Sequence, residues 1–276
     1  MALGSGSRGH DTGLMSYVLH MTDLREWRRG EGDLEPPSLE TQGFVHASPD
    51  DSTLLAVANA FYAGLWAPQA VLVIDTGLLD VEVRWETANP APPPGVHPEV
   101  LFPHIYGPVR RKAVIGVRYL RREPDGSFSA VQHRGATAEE LDLIPHPEGG
   151  WYRSTWRSQH TLRPEGYPGE RDAASGTLFM LRPGERSRWH RLRSDEMWVF
   201  NCGGPIELTF GGTGERPVAD GRVTLGPHIE AGQVVQALVP AGTWQTAHPI
   251  TGREGVVSLF VSPGFAWDDF ELPPDD

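Results

Sequence analysis

A histidine, a glutamate and a glutamine in the second half of the chain could together carry acid–base chemistry. Five residues separate His190 from Glu196, and Gln245 ends the segment Pro-Ala-Gly-Thr-Trp-Gln. Alternate side chains of a strand point to the same face, so His190 and Leu192 share one face and Glu196 returns on the next strand. A buried glutamate beside a histidine shares its proton or ionises with it, which makes an acid–base couple. We therefore expect His190, Glu196 and Gln245 to converge around one pocket.

These three side chains leave three kinds of site open. One histidine, one carboxylate and one amide form a poor ligand set for a transition metal, although His190, Glu196 and Gln245 remain weak candidate ligands. In a second interpretation, His190 and Glu196 are a buried structural pair. In the third, which we predict, the pocket holds a small ligand and no tightly bound metal. His190 is then the base or ligand anchor, Glu196 its orienting partner and Gln245 a polar contact.

Aromatic and basic side chains in the same half are candidate ligand contacts. Tyr152 and Trp198 are expected to shape the pocket. Five arginines crowd one stretch of an otherwise acidic protein, at positions 182, 186, 188, 191 and 193. Their guanidinium groups suit a clamp for a carboxylate or phosphate, with Arg188 as the candidate contact. Solvated strand faces and salt bridges between subunits are the alternative. The expected ligand is a small polar or anionic metabolite.

A second group of candidate residues stands in three short motifs of the first half. His46 and Ser48 belong to Gly-Phe-Val-His-Ala-Ser, Glu86 ends Arg-Trp-Glu, and Tyr106 belongs to Phe-Pro-His-Ile-Tyr-Gly-Pro. His46 and Glu86 lie on separate predicted strands, and we expect them to approach one another across a cleft with Ser48 and Tyr106 nearby. A functional and a structural role are equally supported for His46. His104 is expected to be a buried residue that fixes a loop.

Composition excludes several classes of protein. The 276 residues suit one large domain or two ordinary ones. The 32 glycines and 25 prolines favour many short strands over long helices. A net charge of −12 argues against a binder of nucleic-acid backbones. Cys202 is the single cysteine, so the chain forms no internal disulfide and no cysteine zinc cage, which suits a cytoplasmic protein.

No targeting or membrane segment is predicted. Residues 1–14 lack the apolar core of a signal peptide, and we expect a disordered leader with Met15 as an alternative start. The one long apolar stretch, 54–74, is interrupted at Pro68 and is too mixed to cross a membrane. We predict a helix over 51–64 and then a strand over 70–75.

The elements that position these residues fall into two domains. A polar segment over 121–136, containing Pro-Asp-Gly, is expected to be a linker between a domain over 15–120 and another over 137–272. The first domain mixes predicted helices and strands, which makes it an α+β domain. Its elements are helices over 22–29 and 51–64 and strands over 17–20, 71–74, 81–85 and 113–119.

The second domain is predicted to be all-β after a short helix over 137–142. Short apolar runs alternate there with glycine and proline, a pattern typical of a sandwich or barrel. The runs cover residues 176–181, 196–201, 205–210, 222–225, 233–239, 243–248 and 256–261.

Residue by residue, this second domain resembles the cupin superfamily, and most closely the uncharacterised cupins that open with His-Pro-Glu-Gly-Gly. That opening stands here at 146–150. Gly184, His190, Glu196 and Gly203 have the spacing of the first cupin motif. Residues 240–245 resemble the second motif, with Gln245 at the usual histidine position. Further family segments are Trp-His…Ser-Asp-Glu-x-Trp at 189–198 and Pro-Gly-Phe…Asp-Phe-Glu at 263–271.

The cupin resemblance implies a double-stranded β-helix, or jelly-roll, barrel that pairs as a homodimer through this domain. Metal-binding cupins carry two histidines, a glutamate and a third histidine, so Leu192 and Gln245 replace two of these four ligands. Cupins of the sugar-epimerase type instead work without metal, with a histidine as base.

The first domain resembles a small bacterial and plant domain of unknown function over about 17–120. That domain is thought to share the ADP-ribosyltransferase fold, whose members hold NAD with a histidine and stabilise a ribosyl cation with a glutamate. By this fold-level analogy, NAD is a candidate cofactor and His46 and Glu86 take those roles.

Three function classes follow for the whole chain, which we expect to be bacterial. The first is a small-molecule enzyme of the epimerase, isomerase or hydrolase kind that needs no metal. The second is a non-catalytic sensor or binding protein. The third is a metal-dependent cupin oxygenase.

Overall fold

The computed structural model describes residues 17–65, 67–88 and 91–274. The chain divides into two compact units, Met1–Arg118 and Tyr119–Asp276. The expected leader over 1–14 and the alternative start at Met15 lie outside the described residues. Within the described residues, no helix combines the length and apolar character that crossing a bilayer requires.

Among the described residues, the first unit contains two small sheets and three short α-helices. One sheet places β3 between β1 and β6, and the other has the order β2–β5–β4. The strands are β1 (Tyr17–Asp23), β2 (Val45–His46), β3 (Gln69–Asp75), β4 (Val83–Thr87), β5 (Leu101–Ile105) and β6 (Val114–Arg122), the last of which runs on into the second unit. The helices are α1 (Leu24–Arg29), α2 (Pro37–Gln42) and α3 (Asp51–Phe61).

Local sequence explains where two of these helices begin. The Asp50 side chain accepts a hydrogen bond from the backbone amide of Thr53 at 2.8 Å and so caps α3. The Asp23 side chain caps α1 in the same way, accepting from Arg25 N at 2.6 Å. The predicted helix over 22–29 therefore starts later than expected, because Thr22 and Asp23 still pair with β3.

The expected linker over 121–136 is instead a β-hairpin followed by the start of a helix. Strand β6 ends at Arg122, and β7 (Phe128–Gln132) pairs with it antiparallel, with Leu120 opposite Val131. The Asp125 carboxylate accepts from Ser127 N at 2.9 Å, and Gly126 takes a positive φ of 88°. The polar Pro-Asp-Gly composition is thus that of a tight turn, which sequence composition does not distinguish from a linker.

The second unit is almost entirely β, as predicted. It contains the helix α4 (Ala136–Glu140) and a series of strands. After β7 these are β8 (Ile144–Pro145), β9 (Trp151–Arg157), β10 (Thr161–Leu162), β11 (Arg171–Asp172), β12 (Ser175–Leu181), β13 (Arg191–Leu192), β14 (Asp195–Gly203), β15 (Ile206–Phe210), β16 (Gly221–Leu225), β17 (Gln236–Val239), β18 (Gln245–Pro249), β19 (Gly255–Ser262) and β20 (Phe270–Glu271). All seven predicted strands are present, within a few residues at each end.

Two sheets enclose the core of this unit. The larger has the order β17–β14–β19–β12–β9–β8, and the smaller β16–β15–β18. Two further pairs, β10–β11 and β13–β20, lie outside them. Side chains from both sheets meet in one buried cluster, which contains Phe179, Leu181, Trp198, Ile206, Leu208, Leu225, Val239, Ala247, Val257 and Leu259. The fold is therefore a two-sheet barrel with a packed apolar interior.

Strand alternation carries polar side chains into this interior. Trp198 pairs with Leu259 in the core, and Glu196, two residues earlier on β14, points to the same side of the sheet. Gln245 opens β18, and its backbone pairs with that of His190 in an isolated bridge. All three polar residues are buried.

Candidate functional site

Glu196, Gln245 and Trp198 form one buried hydrogen-bonded group. The Gln245 amide Nε2 donates to Glu196 Oε2 at 2.6 Å. The Trp198 indole Nε1 donates to Gln245 Oε1 at 2.9 Å and contacts Glu196 Oε2 at 3.2 Å. Burial raises the pKa of Glu196 to about 7, while the hydrogen bonds from Gln245 and Trp198 act in the opposite direction.

His190 is fixed beside this group by its backbone and by one ring nitrogen. His190 N donates to Gln245 O at 3.1 Å, and Gln245 N donates to His190 O at 2.8 Å. The ring Nδ1 lies 2.8 Å from the Arg188 carbonyl oxygen. Because a carbonyl oxygen accepts only, Nδ1 carries the proton, and Nε2 of the neutral ring presents a lone pair. Burial lowers the pKa of His190 to about 4.

The group that faces His190 Nε2 is Glu148, a residue that the sequence analysis did not select. Glu148 Oε2 lies 3.3 Å from His190 Nε2 and 3.7 Å from His146 Nδ1. Burial, and secondarily the charge of Glu196, raise the pKa of the Glu148 carboxyl well above its usual value. The expectation that Glu196 orients His190 is therefore corrected, because Glu148 occupies that place and the Glu196 oxygen is taken by Gln245 and Trp198.

The His-Pro-Glu-Gly-Gly opening is the loop that delivers Glu148. Its ends meet where His146 N donates to Gly150 O at 3.0 Å, and Arg188 N donates to Glu148 O at 2.7 Å. A Cβ on Gly149 would lie 2.6 Å from Arg186 O, and one on Gly150 2.7 Å from Met180 O. Both glycines have positive φ, so they allow the loop to approach β12 and the 186–188 segment closely.

Aromatic rings surround the two histidines of this cluster. The His146 ring contacts Tyr152 edge-on, with centroids 4.5 Å apart, and stacks against Trp267 at 5.6 Å. The His190 ring stacks against Phe270 at 5.4 Å. Burial, followed by the charges of His190 and Arg121, lowers the pKa of His146 to about 3. Tyr152 contacts His146 and Trp198 contacts Glu196, so both lie at the cluster.

Arg188 contributes through its backbone and not through its side chain. Its amide and carbonyl hold Glu148 and His190, as described above. Its guanidinium forms an ion pair with Glu123 and is 40% exposed. In the structure the Arg188 side chain therefore forms a salt bridge, whereas the sequence predicted that it contacts an anionic ligand.

The donor set does not fit a transition-metal site of the usual cupin type. Leu192 is buried where such a site has its second histidine. The Gln245 oxygen accepts from Trp198, and the His190 nitrogen that could bind a metal faces the Glu148 carboxyl, whose pKa burial raises. Over residues 17–65, 67–88 and 91–274, no three His, Cys, Asp or Glu side chains are placed to hold a metal ion.

A second polar cluster lies on the β2–β5–β4 sheet of the first unit. His104 Nδ1 donates to Glu86 Oε2 at 2.7 Å, and the Tyr106 hydroxyl donates to the same oxygen at 2.9 Å. These two hydrogen bonds lower the pKa of Glu86. The His46 and His104 rings are 5.3 Å apart, and Phe44 stacks on His104 at 4.0 Å. His104 is thus a strand residue that links His46 to Glu86, and not the loop-fixing residue expected from the sequence.

Two further features concern residues close to this cluster. Burial, and then the neighbouring His104, lower the pKa of His46, whose Nε2 lies 3.0 Å from Gln42 Oε1. Ser48 is buried, and its backbone pairs with Leu19 on β1. No hydrogen bond joins Ser48 to Glu86 or Tyr106 among the described residues.

The fold and the motifs define an all-β barrel of the cupin class. Residues 136–273 match the family model described as Cupin superfamily (DUF985), and that match spans half of the chain. The chain belongs to this cupin family. Residues 20–117 match a second model, described as Protein of unknown function (DUF952).

Several solved structures are similar to part of the chain. A hypothetical protein from Leishmania major is 33% identical over 50% of this chain and 86% of its own, with a TM-score of 0.45. Protein SO0799 from Shewanella oneidensis is 35% identical over 51% of this chain and 85% of its own, with a TM-score of 0.44. A dTDP sugar isomerase from Desulfovibrio desulfuricans is 15% identical over 46% and 83%, with a TM-score of 0.33. Comparison with curated proteins gave no match.

Proposed function

We propose that the cupin unit binds a small polar molecule and transfers a proton on it without a metal, as isomerases and epimerases do. The observation that carries this proposal is the contact of His190 Nε2 with Glu148 Oε2 at 3.3 Å, inside a cluster that also holds Glu196. Two carboxyl groups and an imidazole whose pKa values differ in a buried site are the components of acid–base catalysis.

Each of the three groups has a distinct role in this proposal. Glu148, whose pKa burial raises well above its usual value, is the acid. His190 is neutral, and its Nε2 lone pair accepts a proton or a hydrogen bond from the ligand. Glu196, whose pKa is about 7, exchanges its proton near the working pH. Trp198 and Gln245 hold Glu196, and Tyr152 shapes the wall.

Hydrogen–deuterium exchange at carbon tests this function. The protein is incubated in D2O with a panel of small hydroxy-carbonyl compounds, and NMR follows the loss of C–H signals next to each carbonyl. We expect exchange with the wild type, its loss in His190→Asn, and its retention in the control His228→Asn, which alters an exposed histidine. The exchange should persist after treatment with a chelator. Exchange that is unchanged in His190→Asn, or that needs added metal, contradicts the proposal.

A binding protein without chemistry is the second candidate function. The observation that favours it is the mutual hydrogen bonding of Glu196, Gln245 and Trp198, since groups that satisfy one another need no ligand and form a rigid wall. Compounds that bind the cupin unit with no exchange of their C–H protons would favour this candidate.

For the first unit, we propose a separate ligand site on the β2–β5–β4 sheet, with NAD as its candidate cofactor. The ADP-ribosyltransferase-like fold is part of this proposal. The supporting observation is that Glu86 accepts hydrogen bonds from both His104 and Tyr106, so it stays ionised and suits the stabilisation of positive charge. His46 and Glu86 would hold the nicotinamide ribose. Homodimer formation through the cupin unit likewise remains a proposal, which the solution mass of the purified protein tests.

A further inference from the structure

Glu148 and Glu196 are two buried acids with no cationic partner. They are 4% and 5% exposed, and the charge of Glu196 raises the pKa of Glu148. Among the residues that the structure describes, no arginine or lysine side chain forms an ion pair with either carboxyl. The nearby Arg121 guanidinium donates to the carbonyl oxygens of His146 and Gly150 instead. If either carboxyl ionises in this buried cluster, its negative charge needs a compensating positive charge, and no arginine or lysine side chain among the described residues supplies one.

The Glu148 carboxyl is also without a hydrogen bond. Its nearest polar neighbours are His190 Nε2 at 3.3 Å and His146 Nδ1 at 3.7 Å, and these are ion-pair distances without hydrogen-bond alignment. Within the described part of the chain, no donor reaches its oxygens with hydrogen-bond geometry. Buried polar groups in native proteins are nearly always satisfied, so an unsatisfied carboxyl that points into a candidate site indicates a missing partner.

The remaining surface of the cluster is aromatic. Trp198 touches Glu196, and Phe179 contacts both Trp198 and His146. Phe270 stacks on His190 and Trp267 on His146. The faces of aromatic rings carry partial negative charge and attract cations, most strongly where water is excluded. An anionic ligand placed against Glu148 and Glu196 would lie beside two carboxyl groups and these aromatic rings.

We propose that the ligand of the cupin site carries a positive charge, as a small organic ammonium group placed against Glu148 and Glu196. This inference rests on the proposed function, because it names the ligand class of the same site. It also replaces the anionic ligand expected from the arginine-rich sequence, since the Arg188 side chain pairs with Glu123.

Three probes of nearly the same shape and different charge test the proposal. They are choline, its uncharged counterpart 3,3-dimethyl-1-butanol and the anion 3,3-dimethylbutyrate, each titrated into the full-length protein and followed by ligand-detected NMR. We expect choline to bind about tenfold more tightly than the alcohol, and the anion to bind least. Equal or tighter binding of the alcohol or of the anion would overturn the charge assignment, as would no binding of choline at millimolar concentrations.

Two variants locate the preference. Glu148→Gln and Glu196→Gln keep the side-chain shape and should bring the ratio of the choline affinity to the alcohol affinity towards one. Glu230→Gln, on an exposed turn, should leave this affinity ratio unchanged. If this affinity ratio is unchanged in both Glu148→Gln and Glu196→Gln, the cation binds elsewhere and the proposal is overturned. The proton-transfer function is judged separately, because the His190-dependent deuterium exchange does not use these probes.

Discussion

His190 Nε2 and Glu148 Oε2 lie 3.3 Å apart although 41 residues separate them in the chain. The Arg188 backbone connects the two, since its carbonyl accepts from His190 Nδ1 and its amide donates to Glu148 O. One peptide segment thereby sets both the tautomer of the imidazole and the position of the acid that faces it. The protonation state and tautomer of His190 therefore report whether its contacts with the Arg188 carbonyl and with Glu148 are formed.

The first prediction concerns the protonation state of His190. Burial lowers its pKa to about 4, so the imidazole should be neutral at pH 6 with its proton on Nδ1. A two-bond 1H–15N spectrum of the wild type distinguishes this tautomer, and His190→Asn assigns the signal. An imidazolium at pH 6, or a proton on Nε2, would show that the contacts of His190 with Arg188 and Glu148 differ from those described.

The second prediction concerns the glycines of the His146–Gly150 loop. Gly150→Ala places a Cβ 2.7 Å from Met180 O at a position of positive φ, and should cost roughly 3 kcal/mol of unfolding free energy or more. Gly166→Ala has the same kind of φ but nothing within 4 Å, and should cost about 1 to 2 kcal/mol. Urea denaturation compares the two. Equal losses would mean that the loop does not pack closely against β12.

The third prediction tests the ligand site proposed for the first unit. NAD at about 100 times its Kd should add about 2.7 kcal/mol to the unfolding free energy and raise Tm. Glu86→Gln should abolish the rise, because the amide carries no charge to stabilise a cation. Glu26→Gln, in the exposed first turn of α1, is the matched control. An unchanged Tm of the wild type at millimolar NAD would exclude this cofactor.

The sequence predicts the barrel well because its strands are bounded by local signals. Apolar runs between glycines and prolines placed β12, β14 and β19 within a few residues. Alternation also predicted that Glu196 and Trp198 enter the same interior, because the period of two is a property of any strand. The motif resemblance added Gln245, whose contact with Glu196 no local signal contains.

The role of Glu148 was not predicted, because it depends on tertiary structure. Glu148 lies in a loop with no periodicity, and its distance from His190 is set by the packing of that loop on the 186–188 segment. The signal in the sequence was the two glycines that follow it, which indicate close backbone approach. The same holds for His104, since only the pairing of β5 with both β2 and β4 places it between His46 and Glu86.

The last prediction is the pH dependence of stability that Glu196 causes. Its pKa is about 7 in the folded protein and close to 4.5 when unfolded, so the folded state holds the proton over this interval. Its contribution to stability is therefore complete below pH 4.5 and is lost as pH rises through 7, a change of roughly 3 kcal/mol. Glu196→Gln cannot ionise and should gain this amount relative to the wild type between pH 4.5 and pH 8 in urea denaturation. Glu230→Gln should show no such gain. If the difference in unfolding free energy between Glu196→Gln and the wild type is the same at every pH in this interval, Glu196 is ionised in the barrel throughout.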